Sequence, residues 1–373
     1  MRQVFTGAQI FDGTELHDGK SLVVEGGVVV GIEPAKKGDV ALDGGILCPA
    51  FVDLQVNGGG GILLDGQADA GRIAAICATH ILMGCAGVMP TLRADTPGST
   101  AKVIAAGIAA GQANVPGFLG LHLNGPHLDP RRKGTQDETR LRPMTDADLA
   151  QLTEAAAALP ALMVTLSPTA ATSEQIAALT KAGIVVSLGH SDCSYDEARG
   201  AIAAGAACVT HLFNAMSQMS GREPGLVGAV LDSDIAAGLI ADGIHVSPVS
   251  LRVAMAARPS GLFLVSNCMA FAGTDLTELT VGKRRILRAK GRLMLEDGTL
   301  AGADLRLDNA LAKMVRRVGV PAERALAMAT STPAALIGMS ARLGHLLPGR
   351  RADMVRLNSN WELENIWWGG VAM

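Results

Sequence analysis

The chain has 373 residues, of which 49% are hydrophobic and 18% are charged, a mixture that can bury a large core and excludes disorder as the dominant state. A formal net charge of −3 offers no basic field to a phosphate backbone, so nucleic acid is not an expected partner. We found no signal-peptide core, no uninterrupted apolar stretch of 18 residues and no CxxC pair among the six cysteines, and we therefore expect a cytoplasmic protein with reduced thiols and no membrane span.

The two ends of the chain have the pattern of short β-strands. Residues 1–48 contain alternating apolar runs separated by glycine turns, as in residues 21–25 followed by Gly26 and Gly27. Residues 345–373 are similar, with a turn predicted at Pro348-Gly349. We predict that the two segments pair into one small β-sandwich domain.

Residues 49–344 have a different pattern, in which short apolar runs alternate with Ala-rich helical stretches such as 146–157, 173–182 and 196–204. This alternation is typical of repeated βα units and a parallel sheet. Eight such units predict a closed (β/α)8 barrel. The alternative is a doubly wound sheet with a dinucleotide site, but no GxGxxG motif follows the first apolar run. The eight runs are residues 50–54, 87–90, 117–123, 161–166, 184–188, 207–210, 235–240 and 262–266.

Polar residues follow six of these apolar runs, at the strand ends where barrels place their chemistry. His190 and His211 each come directly after a run, on neighbouring strands, and are candidate zinc ligands. A catalytic zinc usually takes three protein ligands, and Asn124 is the geometric candidate for the third. Its amide oxygen is neutral, so the sequence predicts a weakened metal site.

The chain resembles the N-acetylglucosamine-6-phosphate deacetylase family of the amidohydrolase superfamily over essentially its whole length. The resemblance implies a homodimer that acts on an amino-sugar phosphate, and a barrel with a small β-sandwich formed by both termini. It rests on motifs at residues 49–58, 121–126 with 133–136, 188–191, 210–216, 221–225, 242–245 and 264–267 with 272–273.

The resemblance further implies one divalent metal, expected to be zinc, held at positions 124, 190 and 211. The resemblance also implies that a first strand ending in Gln-x-Asn, here Gln55-Val56-Asn57, belongs to a site with one metal rather than two. In the family the first of these ligands is Glu, whereas this chain has Asn124. The metal activates a water for attack on the acetyl carbonyl.

The resemblance also implies roles for two further positions. In the family, an Asp at the position of residue 267 moves the proton between water and the departing amine, and a His at the position of residue 136 assists at the carbonyl. This chain has Asn267 and Gln136 there. Because an amide has almost no basicity, we predict that hydrolysis is strongly impaired or absent, with a loss of about 10²–10⁴-fold from the missing base alone. The expected sugar-phosphate contacts are Asn214, Ala215, Arg222 and His245.

Two other functions remain open at this stage. One is a non-catalytic protein that binds an amino-sugar phosphate on the same scaffold and needs no metal. The other is a different amidohydrolase, such as a deaminase, which fits less well because the first strand lacks His-x-His and the Arg222 segment suits an anionic sugar.

Overall fold

The computed structural model describes residues 1–281 and 284–373. Strands occur along the whole of this chain, and the first and last of them lie in the terminal segments. In chain order they are β1 (Arg2–Thr6), β2 (Gln9–Phe11), β3 (Leu16–His17), β4 (Lys20–Glu25), β5 (Val28–Pro34), β6 (Val40–Ala41), β7 (Ile46–Pro49), β8 (Phe51–Val56), β9 (Gly58–Gly59), β10 (Ile62–Leu63), β11 (Cys85–Arg93), β12 (Leu121–Asn124), β13 (Leu162–Leu166), β14 (Val185–Leu188), β15 (Cys208–Val209), β16 (Ala236–Leu239), β17 (Leu262–Leu264), β18 (Glu278–Val281), β19 (Arg284–Ala289), β20 (Arg292–Leu295), β21 (Leu300–Ala303), β22 (Met354–Leu357), β23 (Leu363–Trp368) and β24 (Val371–Ala372).

The central sheet is an eight-stranded parallel barrel. Its strands follow each other in chain order, from β8 through β11 and on to β17. A parallel bridge between Val56 and Cys268 joins the first strand to the segment that follows the last one, where the amide of Asn57 donates to the carbonyl of Cys268 at 3.0 Å. All eight predicted apolar runs overlap these strands, so the predicted barrel is confirmed.

Helices connect the barrel strands and cover their outer side. Three of them begin with a capping box, at Thr145, Thr172 and Ser194, in which the side chain accepts from a backbone amide three residues later. These are the three helices predicted from sequence. The helices are α1 (Ala70–Ile81), α2 (Pro97–Gln112), α3 (Asp146–Ala158), α4 (Ser173–Lys181), α5 (Tyr195–Ala203), α6 (Gly225–Leu231), α7 (Pro248–Ala257), α8 (Leu307–Lys313), α9 (Ala322–Ala329) and α10 (Ser331–Leu336), with 3₁₀ turns at Pro130–Arg132 and Glu138–Arg140 and a π turn at Met314–Val318.

Strands from the two termini share one sheet. β7 pairs antiparallel with β22, and together with β2, β3, β23 and β24 they form six strands. A second sheet has the order β5-β4-β1-β6. The ring of Phe5 meets the ring of Trp367 edge-on, with centroids 5.3 Å apart, so side chains from both ends of the chain share one core. The domain bounds 1–48 with 345–373 and 49–344 stay a prediction.

A four-stranded antiparallel sheet, not predicted from the sequence, is inserted after the last barrel strand. It has the order β18-β19-β20-β21 and buries Ile286 and Leu293 against Met269 and Phe271. Its strands are short and largely exposed on one side, so their apolar signal is weak. This sheet contributes to the candidate site.

Two predictions about the chain as a whole can be compared with this fold. Within the described residues, no helix is long and apolar enough to cross a membrane. All six cysteines, each within the described ranges, are buried free thiols.

Candidate active site

A cavity of about 270 Å³ opens at the carboxyl ends of the barrel strands. This is the face where enzymes with this fold place their active sites. Three larger hollows, of about 470, 670 and 530 Å³, are lined by other residues. The 270 Å³ cavity brings together ten of the eleven residues predicted from sequence: Gln55, Asn57, Asn124, Gln136, His190, His211, Asn214, Ala215, His245 and Asn267.

The eleventh residue, Arg222, does not line this cavity. Its side chain is exposed in the loop before α6. Within a single chain, the structure therefore separates Arg222 from the other candidate residues.

His190 and His211 face each other across the floor of the cavity. Their Nδ1 atoms lie 3.0 and 3.1 Å from the backbone carbonyls of Arg132 and Asn214. Because a carbonyl can only accept, each Nδ1 carries the proton and each Nε2 presents a lone pair. The two Nε2 atoms are 3.1 Å apart. Burial lowers the pKa of His190 to about 4 and that of His211 well below its ordinary value, so both rings are neutral at pH 7.

Two facing lone pairs repel unless a cation lies between them, and a nearby oxygen is also unpaired. The buried Oδ1 of Asn124 has no hydrogen-bond partner within the described chain. Two imidazole nitrogens and an amide oxygen can serve as ligands for a divalent metal, and the two histidines are held by carbonyls in the way that metal-binding histidines usually are. The three candidate ligands are all neutral, and no group of three or more His, Cys, Asp or Glu side chains in the described ranges could hold a metal ion.

The amide of Asn267 is fixed by two neighbouring amides. Asn57 donates from Nδ2 both to the carbonyl of Cys268, at 2.9 Å, and to Oδ1 of Asn267, at 3.0 Å. Gln55 donates from Nε2 to the same oxygen at 3.1 Å. The Cys268 carbonyl can only accept, which sets the orientation of Asn57 and hence of Asn267. The remaining Nδ2 of Asn267 can only donate.

Gln136 is tied to the backbone on both sides of its amide. Its Oε1 accepts from the amide of Ala94 at 3.1 Å, and its Nε2 donates to the carbonyl of Asn124 at 3.4 Å. A neutral amide in these contacts transfers no proton at pH 7.

The other side of the cavity contains His245 and the segment that follows His211. Nδ1 of His245 lies 2.6 Å from Oδ2 of Asp242, which orients the ring. Oδ1 of Asp242 accepts from the amides of Ile244 and His245, so the loop is tightly closed. Nδ2 of Asn214 donates to the carbonyls of His211 and Leu212, both at 3.3 Å. These residues form a rigid polar wall.

Four of the predicted site residues have left-handed backbone conformations. The φ angle is 51° at Ala215, and at the strand-end residues His190, His211 and Asn267 it is 45°, 37° and 47°. Such conformations cost non-glycine residues on the order of 1–3 kcal/mol each and cluster at functional sites. The backbone therefore turns sharply at the end of three barrel strands and directs these side chains into the cavity.

Several lining residues were not predicted. Thr299, Leu300 and Gly302 come from the inserted sheet, whose weak sequence pattern concealed them. Arg93 ends β11 and also lines the cavity; a charged residue directly after an apolar run was the available signal. His122, by contrast, lies inside the barrel, between the carbonyl of Leu54 at 2.9 Å and the hydroxyl of Thr165 at 2.7 Å.

The fold and the site define the class of protein. The pattern of the Amidohydrolase family matches residues 46–367, and the chain belongs to this family.

Within the family, several relatives are amino-sugar phosphate deacetylases. The chain is 32% identical over 360 residues to an N-acetylgalactosamine-6-phosphate deacetylase of Shewanella sp. (strain ANA-3), covering 94% of this chain and 90% of the relative. It is 34% identical over 334 residues to an N-acetylglucosamine-6-phosphate deacetylase of Homo sapiens, covering 86% and 81%. The structure of N-acetylglucosamine-6-phosphate deacetylase from Pasteurella multocida superposes with a TM-score of 0.94 at 30% identity, covering all of both chains.

Proposed function

We propose that this chain binds an N-acetylated amino-sugar phosphate in the 270 Å³ cavity and hydrolyses its acetamide very slowly or not at all. One observation carries the proposal: among the described residues that line the cavity, none is Asp or Glu. The family relationship supports the ligand class, and the missing carboxylates support the loss of turnover.

The first deficit is the proton carrier. Hydrolysis of an amide requires a group that accepts a proton from water and returns it to the leaving nitrogen. Asn267 occupies this position, with its oxygen already held by Gln55 and Asn57 and only N–H groups left for a ligand. It can orient a carbonyl oxygen but cannot act as a base.

The second deficit is the lack of a negatively charged metal ligand. His190, His211 and Asn124 would hold a divalent ion, proposed to be zinc. When bound, such an ion lowers the pKa of a water ligand and polarises a carbonyl. An amide oxygen in place of a carboxylate leaves the ion without a negatively charged ligand, so its affinity falls. We propose less than one equivalent of zinc in the purified protein.

The recognition half of the site is proposed to be intact. His245, positioned by Asp242, and the rigid segment at Asn214 and Ala215 would hold the phosphate and sugar. A Mycobacterium smegmatis N-acetyl-D-glucosamine-6-phosphate deacetylase with an Asp-to-Ala substitution has been solved in complex with N-acetyl-D-glucosamine-6-phosphate, with a TM-score of 0.92 at 27% identity and covering 100% of this chain and 99% of that one. That relative binds the sugar phosphate without one of its aspartates.

Arg222 would complete the phosphate site from a second subunit. Its exposure outside the cavity is expected if it reaches the site of a partner in a homodimer. A guanidinium suits a phosphate dianion because its planar fork donates two parallel hydrogen bonds. A cytoplasmic location for such a protein stays a prediction.

The second candidate is a binding protein with no hydrolytic role, which the absence of carboxylates from the described cavity lining favours. Calorimetric titration with N-acetylglucosamine 6-phosphate and its galacto epimer, together with zinc analysis and an acetate-release assay, tests both candidates. We expect binding of at least one epimer, little zinc and almost no acetate. Stoichiometric zinc with rapid release would overturn the impaired-site proposal, and a lack of binding would overturn the ligand assignment. Slow release that zinc accelerates favours the residual enzyme, whereas no release with tight binding favours the binding protein.

A further inference from the structure

Arg93 contributes a charge to the cavity that the deacetylation chemistry does not use. It is the last residue of β11, and it pairs with Asn124 of the neighbouring strand β12. Its Nη2 donates to the carbonyl oxygen and, at 2.9 Å, to the hydroxyl of Thr135. Both acceptors are neutral. No Asp or Glu in the described chain lies within 4.0 Å of its guanidinium.

A second cation approaches the same acceptor. Arg284, at the start of β19 in the inserted sheet, donates from Nη1 to the carbonyl of Thr135 at 3.1 Å. Burial and the proximity of Arg284 lower the pKa of Arg93 to about 10, which leaves it charged at pH 7. Two guanidinium groups thus converge on one carbonyl oxygen. Arg93 is half-buried at the cavity wall, and its charge has no counter-ion within the described chain.

The remaining donors of Arg93 are unused. Its Nε and Nη1 make no hydrogen bond within the described chain. Of the described residues that line the cavity, Arg93 alone carries a permanent charge. Since the described cavity wall supplies no counter-ion, these free donors would favour an anionic group of a ligand.

The position of Arg93 indicates which part of the ligand carries the anion. Arg93 belongs to the second strand of the barrel, next to Asn124, and its charge acts on His190. The proposed phosphate contact, His245, follows the seventh strand, three strands away around the ring. In the proposed binding mode, His190, Asn124 and Asn267 surround the acyl group of the ligand, so an anion at Arg93 belongs to that end.

We propose that Arg93, supported by Arg284, forms an oxyanion subsite at the acyl end of the cavity, and that the preferred ligand is an amino-sugar phosphate whose acyl group bears a carboxylate. This subsite rests on the proposed function for the orientation of the sugar phosphate. It also accounts for the neutral residues at positions 124 and 267, because carboxylates there would repel the carboxylate of the ligand.

A matched pair of ligands tests the subsite. N-oxalylglucosamine 6-phosphate differs from N-acetylglucosamine 6-phosphate in having a carboxylate in place of the acetyl methyl. Dissociation constants for both are measured by calorimetry on the full chain, the Arg93→Gln and Arg93→Lys variants, and Arg252→Gln, which alters an exposed arginine on α7. We expect the unmodified chain and Arg252→Gln to prefer the oxalyl ligand by about tenfold or more, as a charge-assisted hydrogen bond implies.

In Arg93→Gln the ratio of the two constants should fall to about one, and in Arg93→Lys part of the preference should remain because the charge is kept. Equal affinities in the unmodified chain, or a preference that survives in Arg93→Gln, would overturn the subsite while leaving the proposed function in place. If neither ligand binds, the proposed function fails and the subsite fails with it. Far-UV circular dichroism of each variant excludes misfolding as the cause.

Discussion

Nε2 of His190 lies 3.1 Å from Nε2 of His211, and both nitrogens present lone pairs. In a tetrahedral zinc site, two imidazole nitrogens that each lie 2.0–2.1 Å from the metal are about 3.3 Å from each other. The observed separation is close to this value. The pair of histidines is therefore placed for a metal, although the oxygen that completes the set is neutral.

Restoring the missing carboxylates should restore turnover. The double variant Asn124→Glu/Asn267→Asp supplies a charged ligand and a proton carrier whose oxygens accept from Gln55 and Asn57. We expect it to bind one equivalent of zinc and to release acetate at least ~100-fold faster than the unmodified chain. Zinc analysis and an acetate assay give the two readouts.

Asn114→Asp is the matched control, because Asn114 is exposed and also has a left-handed backbone, with φ 50°. It should leave both readouts unchanged. A double variant that takes up zinc but gains no turnover would mean that Gln136 blocks the reaction or that the substrate is wrong.

Asp242 should matter for binding through His245. Replacing Asp242 by Asn removes the charged partner 2.6 Å from Nδ1 of the imidazole and frees the ring to rotate. We expect the affinity for the sugar phosphate to fall about tenfold, since hydrogen bonds to charged groups contribute roughly 1.5–3 kcal/mol. Asp232→Asn, whose carboxylate bonds the hydroxyl of Tyr195 outside the cavity, should bind as the unmodified chain does. Calorimetry that finds equal affinities in both variants would contradict the role of His245.

Arg222 can be assigned to one subunit or the other by mixing variants. Arg222→Ala and His245→Gln should each weaken binding about tenfold when pure, because each loses a charge-assisted or oriented contact to phosphate. If Arg222 acts across a dimer, the mixed dimer contains one site with both residues intact.

We therefore expect half of the sites in tandem-tagged, purified mixed dimers to regain full affinity. A mixed dimer with no full-affinity site, or a chain that is monomeric by light scattering, would place Arg222 outside the binding site of its neighbour.

His122 should make the fold sensitive to acid. Burial lowers the pKa of His122 in the folded state to about 4, against about 6.5 in an unfolded chain. Above pH 6.5 neither state binds the proton, whereas between pH 6.5 and 4 only the unfolded state does, so stability falls as the pH drops through this window.

The contribution of this one group to the loss between pH 7 and pH 5 is about 2 kcal/mol. Guanidinium unfolding of the unmodified chain and of His122→Gln at the two pH values measures it. The loss should be smaller in the variant by about that amount; equal losses would show that His122 does not titrate as its burial implies.

The barrel was predictable because each strand is a short, largely buried and mainly apolar run, from Phe51–Val56 to Leu262–Leu264, and several of the intervening helices have clear caps. The polar residues at the strand ends were predictable for the same reason, since parallel strands bring their carboxyl ends to one face. Ten candidate residues accordingly meet in one cavity.

The inserted sheet could not be predicted in the same way. β18 alternates between exposed and half-buried residues, and the other strands bury only a few side chains, on a cluster that includes Met269 and Phe271 of the preceding loop. Arg93 was overlooked for a different reason: a charged residue at a strand end reads as solvated until the structure shows what surrounds it. Which strands pair, and which charged side chains lack a counter-ion, depends on the folded structure and cannot be read from the sequence.

The left-handed backbone at His190, His211 and Asn267 restricts which residues can occupy these positions. Asparagine is one of the few residues that tolerates positive φ, so the amide at position 267 fits the existing backbone without rearrangement. Under the proposed function, a few side-chain exchanges on an unchanged backbone separate a hydrolysing site from a non-hydrolysing one, and ligand binding persists in both.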